Sequence, residues 1–311
     1  MGYDKLLNFF SKSLFNFIKT FNKKTEDYCV ISTIIIFDMN FITFNCINDI
    51  EKEFNNILKL ILSIGHSYDL DIKSELDKII LNDHWKKYYN SVVKICFNTN
   101  TDNICKEFKL FLSDKIIYDI LYQYIKNYLE NQLDTLHETS LIKKVCIFFD
   151  GIPIFAKIIE QRRRRIKNYL ESNIKRKNYF KTFKKLDNNL IKEDIFIYSY
   201  FDWINNRITI NKNLGPNSDI IINLKTYLKK NFKKYNLYIN STKEVGEADF
   251  KIYNYINKLN NNDICIHSCD SDFLYLNLLF QLQYYAKNID NNLTLINYVN
   301  DKYEIINSND F

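Results

Sequence analysis

Apolar residues recur along this chain at two spacings. Short dense runs at Thr33–Phe37, Lys144–Phe149, Tyr235–Asn240 and Ile264–Ser268 have the length and β-branched content of buried strands. Between them lie long stretches with the 3.6-residue apolar rhythm of helices. That rhythm predicts an amphipathic helix over Lys5–Phe21, a helical region across about 48–140, and a helix over about 155–185 after the breakers Gly151 and Pro153. Gly215-Pro216 opens a further helix with Asn217 or Ser218 near its cap, and Gly246 precedes one that starts near Glu247. Additional strands are predicted at about 281–287, 293–299 and 302–306, and Asn-rich loops at 187–192 and 258–263. Only five Gly and two Pro interrupt the 311 residues, which favours long elements. Strands alternating with helices predict an α/β fold, a mainly parallel central sheet flanked by helices, in a single domain over 1–311.

Acids stand where these elements meet. Asp38 and Asp150 each end a predicted strand, Asp270 and Asp272 follow another, and Glu247 and Asp249 open a helix. In a parallel sheet, ligands bind beyond the carboxyl ends of the strands, so acids at equivalent ends converge. Clustered carboxylates repel and are tolerated beside cations. Hard oxygen donors suit Mg²⁺ or Mn²⁺, and two such ions can activate water and stabilise the leaving oxygen of a phosphodiester. Each position alone has a plainer reading. Asp38 can be a turn or cap residue, Asp270-Ser-Asp272 can cap the next helix, and acids at Glu247 and Asp249 are favoured by a helix dipole.

Charge adds a second feature. The segment 157–185 carries twelve Lys and Arg against two Glu, a net of +10. The whole chain is +6, so the remainder is a mildly acidic body of −4. Four consecutive arginines, Arg162 to Arg165, make this helix a phosphate-binding surface in preference to a merely solvated face. The longest apolar run, Cys29 to Phe37, is strand-length, short of the roughly 20 residues a membrane span needs. The reading is therefore a soluble cytoplasmic protein, with the nucleus as the alternative and no membrane partner. The seven cysteines form no C-x-x-C pair. Cys265, His267 and Cys269 invite a zinc reading, but their spacing fits no common zinc site and the segment reads as a buried strand.

Taken together, these motifs resemble the N-terminal nuclease segment of the Xrn family of 5′→3′ exoribonucleases, relatives of the PIN-like flap endonucleases. Phe37-Asp38-Met39-Asn40 is similar to the family's first metal-binding strand end. Asp150-Gly151, then Ala156-Lys157 and Gln161-Arg162-Arg163-Arg164-Arg165, is similar to its most specific motif. Asn213-Leu-Gly-Pro-Asn looks like a degraded Thr-Pro-Gly helix start. Gly246-Glu247-Ala248-Asp249-Phe250-Lys251-Ile252 resembles Gly-Glu-Gly-Glu-His-Lys-Ile, and Cys269-Asp270-Ser271-Asp272-Phe273-Leu274 resembles a segment built on Asp-Ala-Asp-Leu. The resemblance implies a PIN/FEN-like nuclease domain. It implies that Asp38, Asp150, Glu247, Asp249, Asp270 and Asp272 hold two Mg²⁺ (or Mn²⁺) ions. It further implies that Lys157, Gln161, Arg164 and Arg165 bind the 5′-monophosphate of single-stranded RNA. Those four positions follow i, i+4, i+7 and i+8, one face of a helix, and Arg offers phosphate a planar bidentate fork.

The departures from the family pattern are specific. Phe44 stands where the family has a His proposed to stack on the first base; it can stack likewise or pack into the core. Asp249 replaces a Glu, and Ala248 a Gly. From Asp38 to Asp150 is 112 positions, about twice the family's spacing, which implies a helical insertion across about 50–135. The final Ser308-Asn309-Asp310-Phe311 looks like the family's downstream Gly-Asn-Asp-Phe, but Asp310 lies only 38 positions past Asp272 and is not expected to be a ligand. The chain is thus expected to be a fragment, a minimal enzyme of viral type, or one that relies on a decapping or other protein partner. Three readings remain: a 5′-monophosphate-dependent exoribonuclease, a flap endonuclease or DNA 5′ exonuclease on the same scaffold, and an inactive RNA-binding homologue.

Overall fold

The computed structural model describes residues 19–22, 32–64, 114–137, 141–153, 158–164, 166, 167, 169–171, 173, 174, 215, 218–233, 235–259, 263–268, 273, 276, 279, 280, 283, 292–299 and 302–307. In chain order the elements are β1 (Lys19–Asn22), β2 (Ile34–Asp38), α1 (Met39–Ile64), α2 (Asp114–His137), β3 (Lys144–Phe148), α3 (Asp219–Asn231), β4 (Leu237–Ile239), α4 (Ala248–Ile256), β5 (Asp263–His267), β6 (Asn292–Val299) and β7 (Lys302–Asn307). The chain divides into two compact units. One is drawn from Met1–Thr43, Tyr128–Pro153 and Lys225–Phe311, the other from Phe44–Asn127 and Ile154–Leu224.

The first unit is built on a seven-stranded sheet in the order β1-β7-β6-β5-β2-β3-β4. Pairings β6–β5, β5–β2, β2–β3 and β3–β4 are parallel, and the β6–β7 and β7–β1 pairings at one edge are antiparallel. The mainly parallel α/β architecture expected from the sequence is the one observed. Strand β2 lies at the centre of the parallel part, and its run Ile34-Ile35-Ile36-Phe37 is buried on both faces, as a strand covered on both sides requires. On one face Ile34, Ile36, Cys146, Phe148, Ile264, Ile266, Leu293 and Leu295 pack with Ala248, Ile252 and Ile256, the apolar stripe of α4. On the other face His267 meets Phe37, with ring centroids 5.5 Å apart, and Tyr128 and Gln132 from the C-terminal half of α2.

In the second unit the buried Tyr122 hydroxyl donates to the Ile220 carbonyl (3.0 Å), and burial pushes its pKa up to about 12. Tyr124 donates to the Glu53 carboxylate. The described positions between 158 and 174 are helical, as expected for the basic segment. Arg162, Arg163, Arg164 and Lys167 are exposed there, and so are Ile166, Tyr169, Leu170 and Ile174.

Two expected elements differ. Residues 19–21, read as the end of a helix, lie in β1, because antiparallel pairing with β7 (Lys19↔Ile305 to Asn22↔Lys302) supplies backbone partners that outweigh local propensity; the rest of that expected helix lies outside the described residues. Of the strand expected at 281–287, the described position 283 is helical. Positions 273, 276, 279 and 280 are helical too, and Phe273 and Phe280 bury an i, i+7 stripe in the core that a short apolar run does not distinguish from a strand. Of the helical region expected over 48–140, residues 65–113 and 138–140 lie outside the described residues, and so do the expected loop at 187–192 and positions 260–262 of the one at 258–263, whose last residue, Asp263, begins β5.

Candidate functional site

Parallel pairing brings the carboxyl ends of β2, β3 and β5 to the same edge of the sheet. In the register Asp38 is opposite Phe148, so Asp150 lies two residues beyond it; Phe37 is opposite His267, so Ser268 comes level with Asp38. Asp38 is 5% exposed. Its Oδ1 accepts the backbone N–H of Asn40 (3.1 Å), which makes it the cap of α1. Its Oδ2 accepts the hydroxyl of Ser268 (3.0 Å). The plain reading of Asp38 as a cap therefore describes one oxygen, while the other is held by Ser268, the first residue after β5; Asp270 and Asp272 follow it two and four positions later in sequence.

Asp150 reaches the start of α4. Its Oδ1 accepts the backbone N–H of Ala248 (2.9 Å). Glu247 is the N-cap residue of α4 in extended backbone, yet its side chain makes no capping hydrogen bond. Asp150, two residues past β3, thus satisfies the first N–H of α4, one of the helix-end donors that lack an intrahelical partner. Asp249 bonds locally, accepting the N–H of Phe250 (2.6 Å).

The Asp150 loop is fixed by Gly151 and Gly246. Gly151 N–H donates to the Gly246 carbonyl (2.9 Å), Ile152 N–H to Glu244 (3.2 Å), and Gly246 N–H to Ile152 (3.0 Å). A Cβ on Gly151 would collide with the Glu244 carbonyl oxygen and with Lys251 Nζ. Gly246 has φ of +108°, a backbone that L side chains rarely adopt.

Three buried polar residues escaped the sequence reading. Ser268 holds Asp38. Asn240, fully buried, ends β4 much as the acids end their strands. Lys251, 6% exposed, donates to the carbonyls of Phe149 (3.2 Å) and Ser241 (3.1 Å). Burial lowers the pKa of Lys251, opposed by the nearby anions Glu244 and Asp150. The signal for Lys251 was its position one turn after Glu247 in the run Gly246–Ile252; for Ser268 it was adjacency to a strand end. His267, also fully buried, is held with its pKa lowered to about 4 by burial. Cys265 is fully buried in β5, and burial raises its thiol to about 12.

Of the remaining expected residues, Asp270, Asp272, Lys157 and Arg165 lie outside the described residues. Gln161 and Arg164 are on the basic helix of the second unit, where Arg164 is exposed and paired with Glu160. Phe44 is 50% exposed, so core packing does not account for it. Among the described residues no group of three or more His, Cys, Asp or Glu side chains is placed to hold an ion. The donor chemistry nevertheless fits a hard divalent cation: carboxylates follow adjacent parallel strands at one edge, with Asp150 tied to the residue after Glu247. No helix among the described residues is long and apolar enough to cross a membrane.

In a comparison with known families, the sequence model described as XRN 5′-3′ exonuclease N-terminus matches residues 83–286. A search of curated proteins finds no match.

Proposed function

Because this chain belongs to the XRN 5′-3′ exonuclease N-terminus family, we propose that it hydrolyses single-stranded RNA stepwise from a 5′-monophosphate end, with two Mg²⁺ (or Mn²⁺) ions. The observation that carries the reading is the register that brings the ends of β2, β3 and β5 to one edge, each followed by an acid. Asp38, Asp150, Glu247, Asp249, Asp270 and Asp272 are the proposed metal ligands. When bound, the ions would lower the pKa of a water and stabilise the leaving oxygen.

The chain's own residues do the rest. The Asn40 N–H and Ser268 hydroxyl fix the plane of the Asp38 carboxylate. The Ala248 N–H, at the start of α4, fixes one oxygen of Asp150. Lys157, Gln161, Arg164 and Arg165 are the proposed donors to the terminal phosphate, and Phe44, half exposed, is proposed to stack on a base. Donors shaped to one terminal phosphate would enforce both direction and end-specificity. For Arg164 to bind phosphate it must leave Glu160; the pair is exposed, so the exchange is cheap. The domain is proposed to be a single nuclease domain carrying a helical insertion.

The test is hydrolysis of RNA by the purified chain with Mg²⁺, compared with its Asp270→Asn and Asp150→Asn variants. Loss of at least a hundredfold in both variants is expected, since an amide removes charge from the ligand set. Metal-independent activity, or full activity in either variant, contradicts the ligand assignment.

A further inference from the structure

We propose that Lys251, with Asn240, is a positioning residue: its ammonium acts as a built-in cation that ties the peptide before Asp150 to the helix turn presenting Glu247. The inference rests on the reading of Asp150 and Glu247 as metal ligands.

Phe149 immediately precedes Asp150, and side chains grip both of its backbone groups. Its N–H donates to Asn240 Oδ1 (2.7 Å), and its carbonyl accepts from Asn240 Nδ2 (3.3 Å) and Lys251 Nζ (3.2 Å). The Ser241 carbonyl accepts from the same two donors, Nδ2 at 3.2 Å and Nζ at 3.1 Å. The Asn240 carbonyl in turn accepts Lys225 Nζ (2.9 Å). On the far side of Asp150, the bonds of Gly151 and Ile152 to Gly246 and Glu244 close the loop. Asp150 is therefore held from both flanks by the segment 240–251.

Lys251 makes this more than a structural knot. Its backbone N–H bonds the Glu247 carbonyl (3.2 Å), so one side chain spans from the turn carrying one acid to the carbonyl preceding the other. Burying an ammonium is costly, and for stability alone an apolar side chain of similar volume serves as well or better. A fixed positive charge beside Asp150 does what an apolar residue cannot. It offsets repulsion among the acids before a metal arrives and holds the ligand frame in its binding geometry. Gly151 leaves the room this ammonium occupies, since a Cβ there would strike Nζ.

The experiment compares the unaltered chain with Lys251→Met and Lys251→Ala by circular dichroism, by Mn²⁺ titration without RNA followed by electron paramagnetic resonance, and by RNA hydrolysis. Folded Lys251→Met should bind Mn²⁺ about tenfold to a hundredfold more weakly and lose kcat with little change in KM. In Lys251→Ala, ethylammonium should restore part of the Mn²⁺ affinity, whereas Lys251→Met, with the space filled, should not respond. Should Lys251→Met fail to fold, Lys251→Gln keeps amide donors without the charge and serves the same comparison. Mn²⁺ affinity equal to the unaltered chain in any folded variant overturns the proposal alone. No Mn²⁺ binding by the unaltered chain removes the metal reading, and the proposal with it.

Discussion

The hydroxyl of Ser268 donates a 3.0 Å hydrogen bond to Oδ2 of Asp38, joining residues 230 positions apart in sequence. Both are buried, and the bond ties the end of β2 to the first residue after β5. Hydrogen bonds to a charged group contribute about 1.5–3 kcal/mol, more than a neutral pair. Ser268→Ala is therefore expected to keep the fold, lower the melting temperature by a few degrees, and reduce metal-dependent RNA hydrolysis about tenfold. Thermal melting and initial rates check this; unchanged rates would mean that Asp38 needs no such support.

Gly151 sits where the Asp150 loop crosses the 244–246 turn. Because a Cβ would strike the Glu244 backbone, Gly151→Ala must displace one strand of the bridge between Ile152 and Val245. The expected cost is about 1–3 kcal/mol, the range for overpacking a tight contact. Denaturant unfolding measures it. A variant as stable as the parent would contradict the packing described.

His267 is buried and neutral. Its Nε2 lies 3.2 Å from Gln132 Oε1 and 3.4 Å from the Tyr128 hydroxyl. Its pKa is lowered from 6.5 to about 4, so the unfolded chain takes up the proton first. Stability contributed by this residue is present above pH 6.5, falls as the pH drops toward 4, and is then lost. The amount is on the order of 3 kcal/mol. Unfolding free energies measured across that window should decline more steeply for the parent than for His267→Gln, and parallel curves would count against a neutral buried imidazole.

On the basic helix, Arg164→Ala is expected to raise KM for 5′-monophosphate RNA about tenfold or more, the loss of a charge-assisted bond. The rate on 5′-hydroxyl RNA should not change. Equal losses on both substrates would place Arg164 on the RNA backbone, away from its end.

Much of this was legible in the chain. The β-branched runs before Asp38 and Asp150 gave the central strands to within a residue or two, because a doubly buried parallel strand is a dense apolar run. The positions of Asp38, Asp150, Glu247 and Asp249 were legible because they fall at or just past strand ends and at the α4 start. Less visible was how they are held. Ser268, Asn240 and Lys251 are ordinary residue types, and their roles depend on contacts across up to 230 positions. Helical rhythm also misled at residues 19–21, where the available edge of β7, and no local pattern, decides the conformation.

The most direct test of the central claim uses one RNA carrying either a 5′-monophosphate or a 5′-hydroxyl, labelled at its 3′ end, with the purified chain and Mg²⁺. The account predicts rapid release of mononucleotides from the 5′ side of the monophosphate RNA, slow loss of the hydroxyl RNA, and no product when EDTA replaces Mg²⁺. Equal degradation of both ends, shortening from the 3′ side, or no metal-dependent product at high protein concentration would contradict it.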